Sequence, residues 1–201
     1  MAPHQPENQS GFSAVLLAGG RSVRMGRDKA LLPHPDSGQP LVLHQLATLR
    51  AAGAVEVFLS VREGADYPQV PADVPRLHDD GARGPMVGIA AGLAAARLPR
   101  LLVLAVDLPG VTPTLLREWL ERTPNALGFV LLGPHGTEPL CALYPRAALP
   151  FFNHALSADR FALRDVVAEL LAAGLLHPLP LTPAEHEALA NWNTPADLAK
   201  P

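Results

Sequence analysis

Apolar and polar positions fall into blocks along this chain. Residues 13–17 (SAVLL) form a short apolar run that stops at Gly19-Gly20, and its length and punctuation predict a buried strand. Residues 19–32 mix Gly, Arg, Ser, Met, Asp and Lys without a clear period and read as a long polar loop. Residues 41–52 carry apolar side chains at 42, 43, 46, 47 and 49, a helical spacing that ends before Gly53. A β-branched and aromatic run at 55–61 predicts a second strand. The Pro-rich stretch 67–75 reads as a connector to a brief strand at 76–78, and the Ala-rich stretch 86–97 as a helix closed by Pro99.

Residues 101–106 (LLVLAV) are apolar without interruption, the pattern of a central parallel strand covered by helices on both faces, and they end abruptly at Asp107-Leu108-Pro109. Thr112-Pro113 supplies an N-cap followed by Pro at the first helical position, opening a helix to about residue 122. Strands are expected at 128–132 and 140–144, an amphipathic helix at 160–173 and a last strand at 175–181. Thr182-Pro183-Ala184-Glu185 has the form of a capping box, and Thr194-Pro195-Ala196-Asp197 starts another helical turn in a similar way. The alternation of strands and helices from residue 12 to about 122 indicates an α/β fold with a mostly parallel sheet. Such sheets bind ligands beyond the carboxyl ends of their strands, so Gly19-Gly20 and Asp107 are the places to look for chemistry.

Composition narrows the function. The 201 residues hold 16 Lys+Arg against 19 Asp+Glu, and this mildly acidic balance argues against a general nucleic-acid binder. One Cys makes neither an intramolecular disulfide nor a Cys-based zinc cluster, which fits a reducing, cytoplasmic interior. No apolar run approaches the roughly 18–20 residues that span a bilayer, so no membrane partner is expected. Residues 1–11 lack a basic segment and an apolar core and read as a disordered tail rather than a signal peptide, leaving 12–201 as a single domain.

The segment from Leu17 to Lys29 matches neither the P-loop nor the dinucleotide glycine pattern, because Gly26 is followed by Arg27 and the glycines are wrongly spaced. What remains is a strand feeding a glycine pair and a loop carrying Arg21, Arg24, Arg27 and Lys29 against Asp28 alone. Glycines let backbone N–H groups approach phosphate oxygens, and the cations neutralise them. Only Lys29 and Lys200 are lysines among the 16 basic residues. A lysine inside such a loop fits a phosphate held by a compact point charge.

LAGG-x-S-x-R-M-G-x-D-K-A-L-L resembles the signature loop of the MobA-type nucleotidyltransferases, the molybdenum cofactor guanylyltransferases. The likeness continues through Gly84-Pro85-Met86-Val87-Gly88-Ile89, Val106-Asp107-Leu108-Pro109, Pro139-Leu140-Cys141-Ala142-Leu143-Tyr144 and Asn191-Trp192-Asn193-Thr194-Pro195-Ala196-Asp197-Leu198, in the family's order from residue 17 to 198. The resemblance implies a three-layer, Rossmann-like nucleotidyltransferase fold and transfer of GMP from GTP to the phosphate of Mo-molybdopterin, with Mg²⁺ as cofactor and pyrophosphate released. Molybdoenzymes or their chaperones would receive the product. The alternatives are a molybdopterin cytidylyltransferase or another small-metabolite nucleotidyltransferase and, from a different class, a non-catalytic cofactor carrier. The Gly19-Gly20 pair is similar to the guanylyl branch, whereas the cytidylyl branch usually reads LAAG.

Such a reaction brings a phosphate dianion to a polyanionic nucleotide. Two like unit charges about 4 Å apart repel by roughly 4 kcal/mol at an effective dielectric near 20, so neutralisation and in-line positioning dominate catalysis. The resemblance implies that the backbone at Leu17, Ala18, Gly19 and Gly20 receives the nucleotide and that Arg21, Arg24 and Lys29 hold the triphosphate. It makes Asp107 the Mg²⁺ ligand, a role that its place after the most apolar strand supports independently. It also directs Asp80, in preference to Asp79, and Asn193 to the nucleotide. Arg160 and Arg164, one turn apart on the expected helix, are equally compatible with a pterin phosphate and with a solvated face. Glu138 departs from the neutral or basic residue the family places there, and Cys141 is expected in the core.

Overall fold

The computed structural model describes residues 11–19, 28–65, 67–79 (the last by its backbone only) and 84–190. The expected tail and the expectations on Gly20, Arg21, Arg24, Asp80, Asn193 and the helical turn at Thr194 lie outside the described residues. Strands buried on both faces build the architecture: the first and the fourth are buried at every position. The strands are β1 (Ser13–Leu17), β2 (Glu56–Arg62), β3 (Arg76–Asp79), β4 (Arg100–Ala105), β5 (Gly128–Gly133), β6 (Gly136–Pro145) and β7 (Leu176–Pro180), forming one sheet in the order β3-β2-β1-β4-β6-β5-β7. β6 pairs antiparallel with β4 and β5; every other pairing is parallel.

Successive residues of β1 and β4 serve opposite faces. Ala14, Leu16, Leu102 and Leu104 enter a core shared with α1 (Leu41–Ala51) and α3 (Pro113–Glu121). Val15, Leu17, Leu101 and Val103 enter a second core shared with α2 (Pro85–Ala95), α4 (Leu149–Ser157) and α5 (Leu163–Ala172). The result is the expected three-layer α/β fold, and β4 is buried along its whole length. The short α6 (Pro183–Ala188) begins at the predicted capping box, where Thr182 and Glu185 bond reciprocally.

Two expectations are corrected. The structure adds α4, for which the sequence pattern predicts no helix, and the predicted helix at 160–173 begins only at Leu163. Asp159 takes a left-handed backbone (φ 52°), and the Arg160 N–H donates to the Ala155 carbonyl at 2.9 Å, so residue 160 closes α4 instead of opening the expected helix. Arg160 therefore stands ahead of α5 and pairs with Glu169 at 2.7 Å, so it does not share a helical face with Arg164. The polar stretch before Leu32 also contains a 3₁₀ turn, Lys29–Leu31.

Candidate active site

The chain crosses from β1 to β2 and β3 on one side, then returns to place β4 on the other side of β1. Strand order thus reverses between β1 and β4, and it is beyond the carboxyl ends of strands at such a point that sheets of this kind form a binding crevice. Leu17 lies opposite Ala105 in register, and the Val106 N–H donates to the Leu17 carbonyl at 3.1 Å. The Ala18 N–H is held by the Ser60 carbonyl of β2 at 2.9 Å. Gly19 and Asp107 therefore leave neighbouring strands at the same crevice. Lys29 reaches it from the far end of the glycine loop: its Nζ lies 3.3 Å from Asp107 Oδ2, with the two side chains 20% and 24% exposed. A cation and a carboxylate 78 positions apart in sequence meet at the switch point, both partly exposed.

Each partner is set by its neighbours. Asp28 caps the 3₁₀ turn that begins at Lys29, its Oδ1 accepting from the Ala30 N–H at 3.0 Å. Its Oδ2 accepts from the Tyr67 hydroxyl at 2.7 Å. On the other side, the buried Gln45 of α1 donates through Nε2 to the Leu108 carbonyl at 2.6 Å, holding the turn that follows Asp107. Gly110 packs against the end of α6 so closely that a Cβ there would lie 2.7 Å from the Ala188 carbonyl oxygen. Gly88 brings α2 onto the ends of β1 and β2, where a Cβ would meet Ser60 Oγ at 2.4 Å and Leu17 Cδ2 at 2.9 Å. The amino end of α2, with Pro85 at its first turn, faces this edge of the sheet.

Of the sequence-predicted residues, the structure brings together Leu17, Ala18, Gly19, Lys29 and Asp107. Cys141 is buried in the core as expected, and burial, with the Glu138 charge second, pushes its thiol well up, so it is no nucleophile. Sequence reasoning missed Gln45, Tyr67 and Glu185. Gln45 had a faint signal, a polar residue beside the apolar positions of α1. Glu185 was read only as a cap, yet its buried carboxylate also accepts from Trp119 Nε1 at 2.7 Å and from the Arg122 guanidinium at 2.6 Å, fastening α6 to α3. Burial raises the Glu185 pKa, but the hydrogen bonds from the Thr182 backbone, Trp119 and the Thr182 hydroxyl, with the Arg122 charge, leave it below the ordinary carboxylate value.

Among the described residues no group of three or more His, Cys, Asp or Glu side chains is placed to hold a metal ion. Asp107 offers one partly exposed carboxylate at the crevice. A single hard oxygen donor of this kind suits Mg²⁺, which binds through one or two carboxylates together with substrate phosphates and water. Among the described residues, no helix is long and apolar enough to cross a membrane.

Comparison with known proteins shows the family. Residues 14–174 match the family described as the MobA-like NTP transferase domain. The molybdenum cofactor guanylyltransferase of Pseudomonas aeruginosa (strain LESB58) is 37% identical over 194 residues, 93% of this chain and 92% of that protein. The protein of the same name from Pseudomonas fluorescens (strain SBW25) is 35% identical over 198 residues, 94% and 92% of the two chains. Among solved structures, molybdopterin-guanine dinucleotide biosynthesis protein A from Archaeoglobus fulgidus superposes with a TM-score of 0.71 at 20% identity, covering 94% of this chain and 95% of that one. That similarity concerns the fold; the family match spans the chain from β1 to the end of α5. The chain belongs to the MobA-like NTP transferase family.

Proposed function

We propose that this protein transfers GMP from GTP to the phosphate of Mo-molybdopterin, forming the guanine dinucleotide cofactor and releasing pyrophosphate. The observation that carries the reading is the meeting of Lys29 and Asp107 at the β1–β4 switch point, 3.3 Å apart and partly exposed. The names of relatives similar along more than nine-tenths of the chain, molybdenum cofactor guanylyltransferase, support guanylyl transfer to the molybdenum cofactor.

In the proposed reaction a phosphate oxygen of the acceptor forms a bond to the α-phosphorus while the bond to the β-phosphate oxygen breaks in line. The residues' work is neutralisation and orientation. The backbone at Leu17, Ala18, Gly19 and Gly20 receives the nucleotide, and Arg21 and Arg24 spread charge along the triphosphate. Lys29 supplies a mobile ammonium at the crevice, kept in reach by Asp107. Asp107 would hold Mg²⁺, which when bound neutralises phosphate oxygens as a Lewis acid. Asp80 and Asn193 are assigned to the nucleotide. No covalent protein nucleophile is needed. The product would pass to molybdoenzymes or their chaperones in the cytoplasm.

A melting assay tests the nucleotide assignment. GTP with Mg²⁺ at about 100 times Kd should stabilise the fold by about 2.7 kcal/mol, roughly 5–10 °C for a chain of this size, and by more than CTP, UTP or ATP. Equal shifts from all four nucleotides would contradict the guanine assignment.

A further inference from the structure

The connector between β2 and β3 does more than join two strands. Its backbone is organised by one side chain: the Arg76 guanidinium donates to the carbonyls of Val70 (2.9 Å), Pro71 (3.1 Å) and Val74 (2.8 Å). Val70 and Val74 are buried beneath it, and turns close with Val70 N–H to Tyr67 carbonyl at 3.0 Å and Val74 N–H to Pro71 carbonyl at 3.2 Å. This braced segment carries Tyr67, only 3% exposed, to the crevice. There the hydroxyl donates to Asp28 Oδ2 at 2.7 Å and lies 3.4 Å from the Ala18 carbonyl oxygen. Ala18 and Asp28 are the two stems of the glycine loop. The short contact takes the single hydroxyl proton, and the longer one is a secondary electrostatic contact.

We propose that Tyr67 is a positioning residue for phosphate binding: its hydroxyl fixes the Asp28 cap, and with it the turn that presents Lys29 to Asp107, at a set distance from the end of β1. The assignment rests on the function proposed above. Burial, reinforced by the Asp28 carboxylate, pushes the phenol pKa well up against a smaller opposing influence of Arg62, so the hydroxyl remains a donor throughout the working range. Asp28 thereby has one oxygen for the Ala30 N–H and one for Tyr67, and rotation of its carboxylate would lose both.

The test measures the affinity of Mg²⁺-tripolyphosphate, a base-independent probe, and steady-state transfer for the wild type, Tyr67→Phe, Asp28→Ala and the double variant. Tyr67→Phe should weaken tripolyphosphate binding and lower kcat/KM for the nucleotide by about tenfold, the loss of one hydrogen bond to a charged acceptor, while KM for the acceptor stays within about twofold. In the Asp28→Ala background the same change should add less than about twofold, because the two groups act as a unit. Wild-type affinity in Tyr67→Phe, or losses that multiply in the double variant, would overturn the proposal. Transfer of CMP in place of GMP by the wild type would overturn the base assignment and leave the Tyr67 ratios intact.

Discussion

Two carboxylates at opposite edges of the sheet show how this fold separates structure from chemistry. Glu56 begins β2 at the amino edge and is saturated. It accepts from the Ser13 hydroxyl at 2.6 Å, from the Arg97 N–H at 3.0 Å and from the Arg97 guanidinium. Burial raises its pKa, but the hydrogen bonds from Ser13 and from the backbone and side chain of Arg97, with the Arg97 charge, bring it below the ordinary value. Asp107 follows β4 at the carboxyl edge and, among the described residues, has one polar partner, Lys29 at the longer distance of 3.3 Å. A carboxylate engaged on every side is committed to holding strands together. One that is partly exposed, with a single long ion pair among the described residues, retains acceptor capacity for a ligand.

The largest expected effect separates the two most sharply. Asp107→Asn and Lys29→Ala should each lower turnover by about 10³-fold while the melting temperature stays within about 3 °C, measured by product formation and calorimetry. Glu56→Gln should do the reverse, leaving kcat unchanged and costing about 2 kcal/mol, or about 4–8 °C. Its pH dependence has a definite sign. The folded pKa lies below the unfolded one, so the contribution is complete above the unfolded value and disappears as pH falls through the folded value. Urea titrations should show the gap between wild type and Glu56→Gln at pH 7 closing below about pH 4. If Glu56→Gln also abolished turnover, the division between the edges would fail.

A smaller effect is expected at Gly110, where the new methyl of Gly110→Ala would press on the Ala188 carbonyl. Overpacking of this kind costs about 1–3 kcal/mol, and because Gly110 belongs to the turn after Asp107, KM for the nucleotide should rise with it. Unchanged stability and KM would show that α6 yields freely. The smallest effect is expected at the exposed Arg160–Glu169 pair, where Arg160→Ala should leave melting and nucleotide KM unchanged.

The features legible in the sequence are those governed by local rules. A run of six apolar residues ending at Asp107 announced a central strand with chemistry at its end, and Thr112 and Thr182 announced helix starts that the structure reproduces with side-chain caps. α4 escaped because it is nine residues long, has Pro150 near its start and fully buries only Phe152 and Ala155, too few positions to establish a period. The break before α5 depends on one left-handed residue, Asp159. Within the candidate site, the loop and Asp107 were readable because chain order places them after strands. Tyr67, Gln45 and Gly110 were not, since each acts across tertiary distance: a phenol reaching Asp28, an amide holding the Leu108 carbonyl, and a bare Cα admitting α6. Nothing in the local pattern around these residues encodes such partners.

The identity of the product tests guanylyl transfer by this site most directly. Purified protein incubated with Mo-molybdopterin, Mg²⁺ and each nucleoside triphosphate in turn, followed by mass analysis of the cofactor and assay of pyrophosphate, should yield the guanine dinucleotide and stoichiometric pyrophosphate from GTP, with little from CTP, UTP or ATP. Formation of a cytosine dinucleotide instead, or binding of GTP without pyrophosphate release, would contradict it.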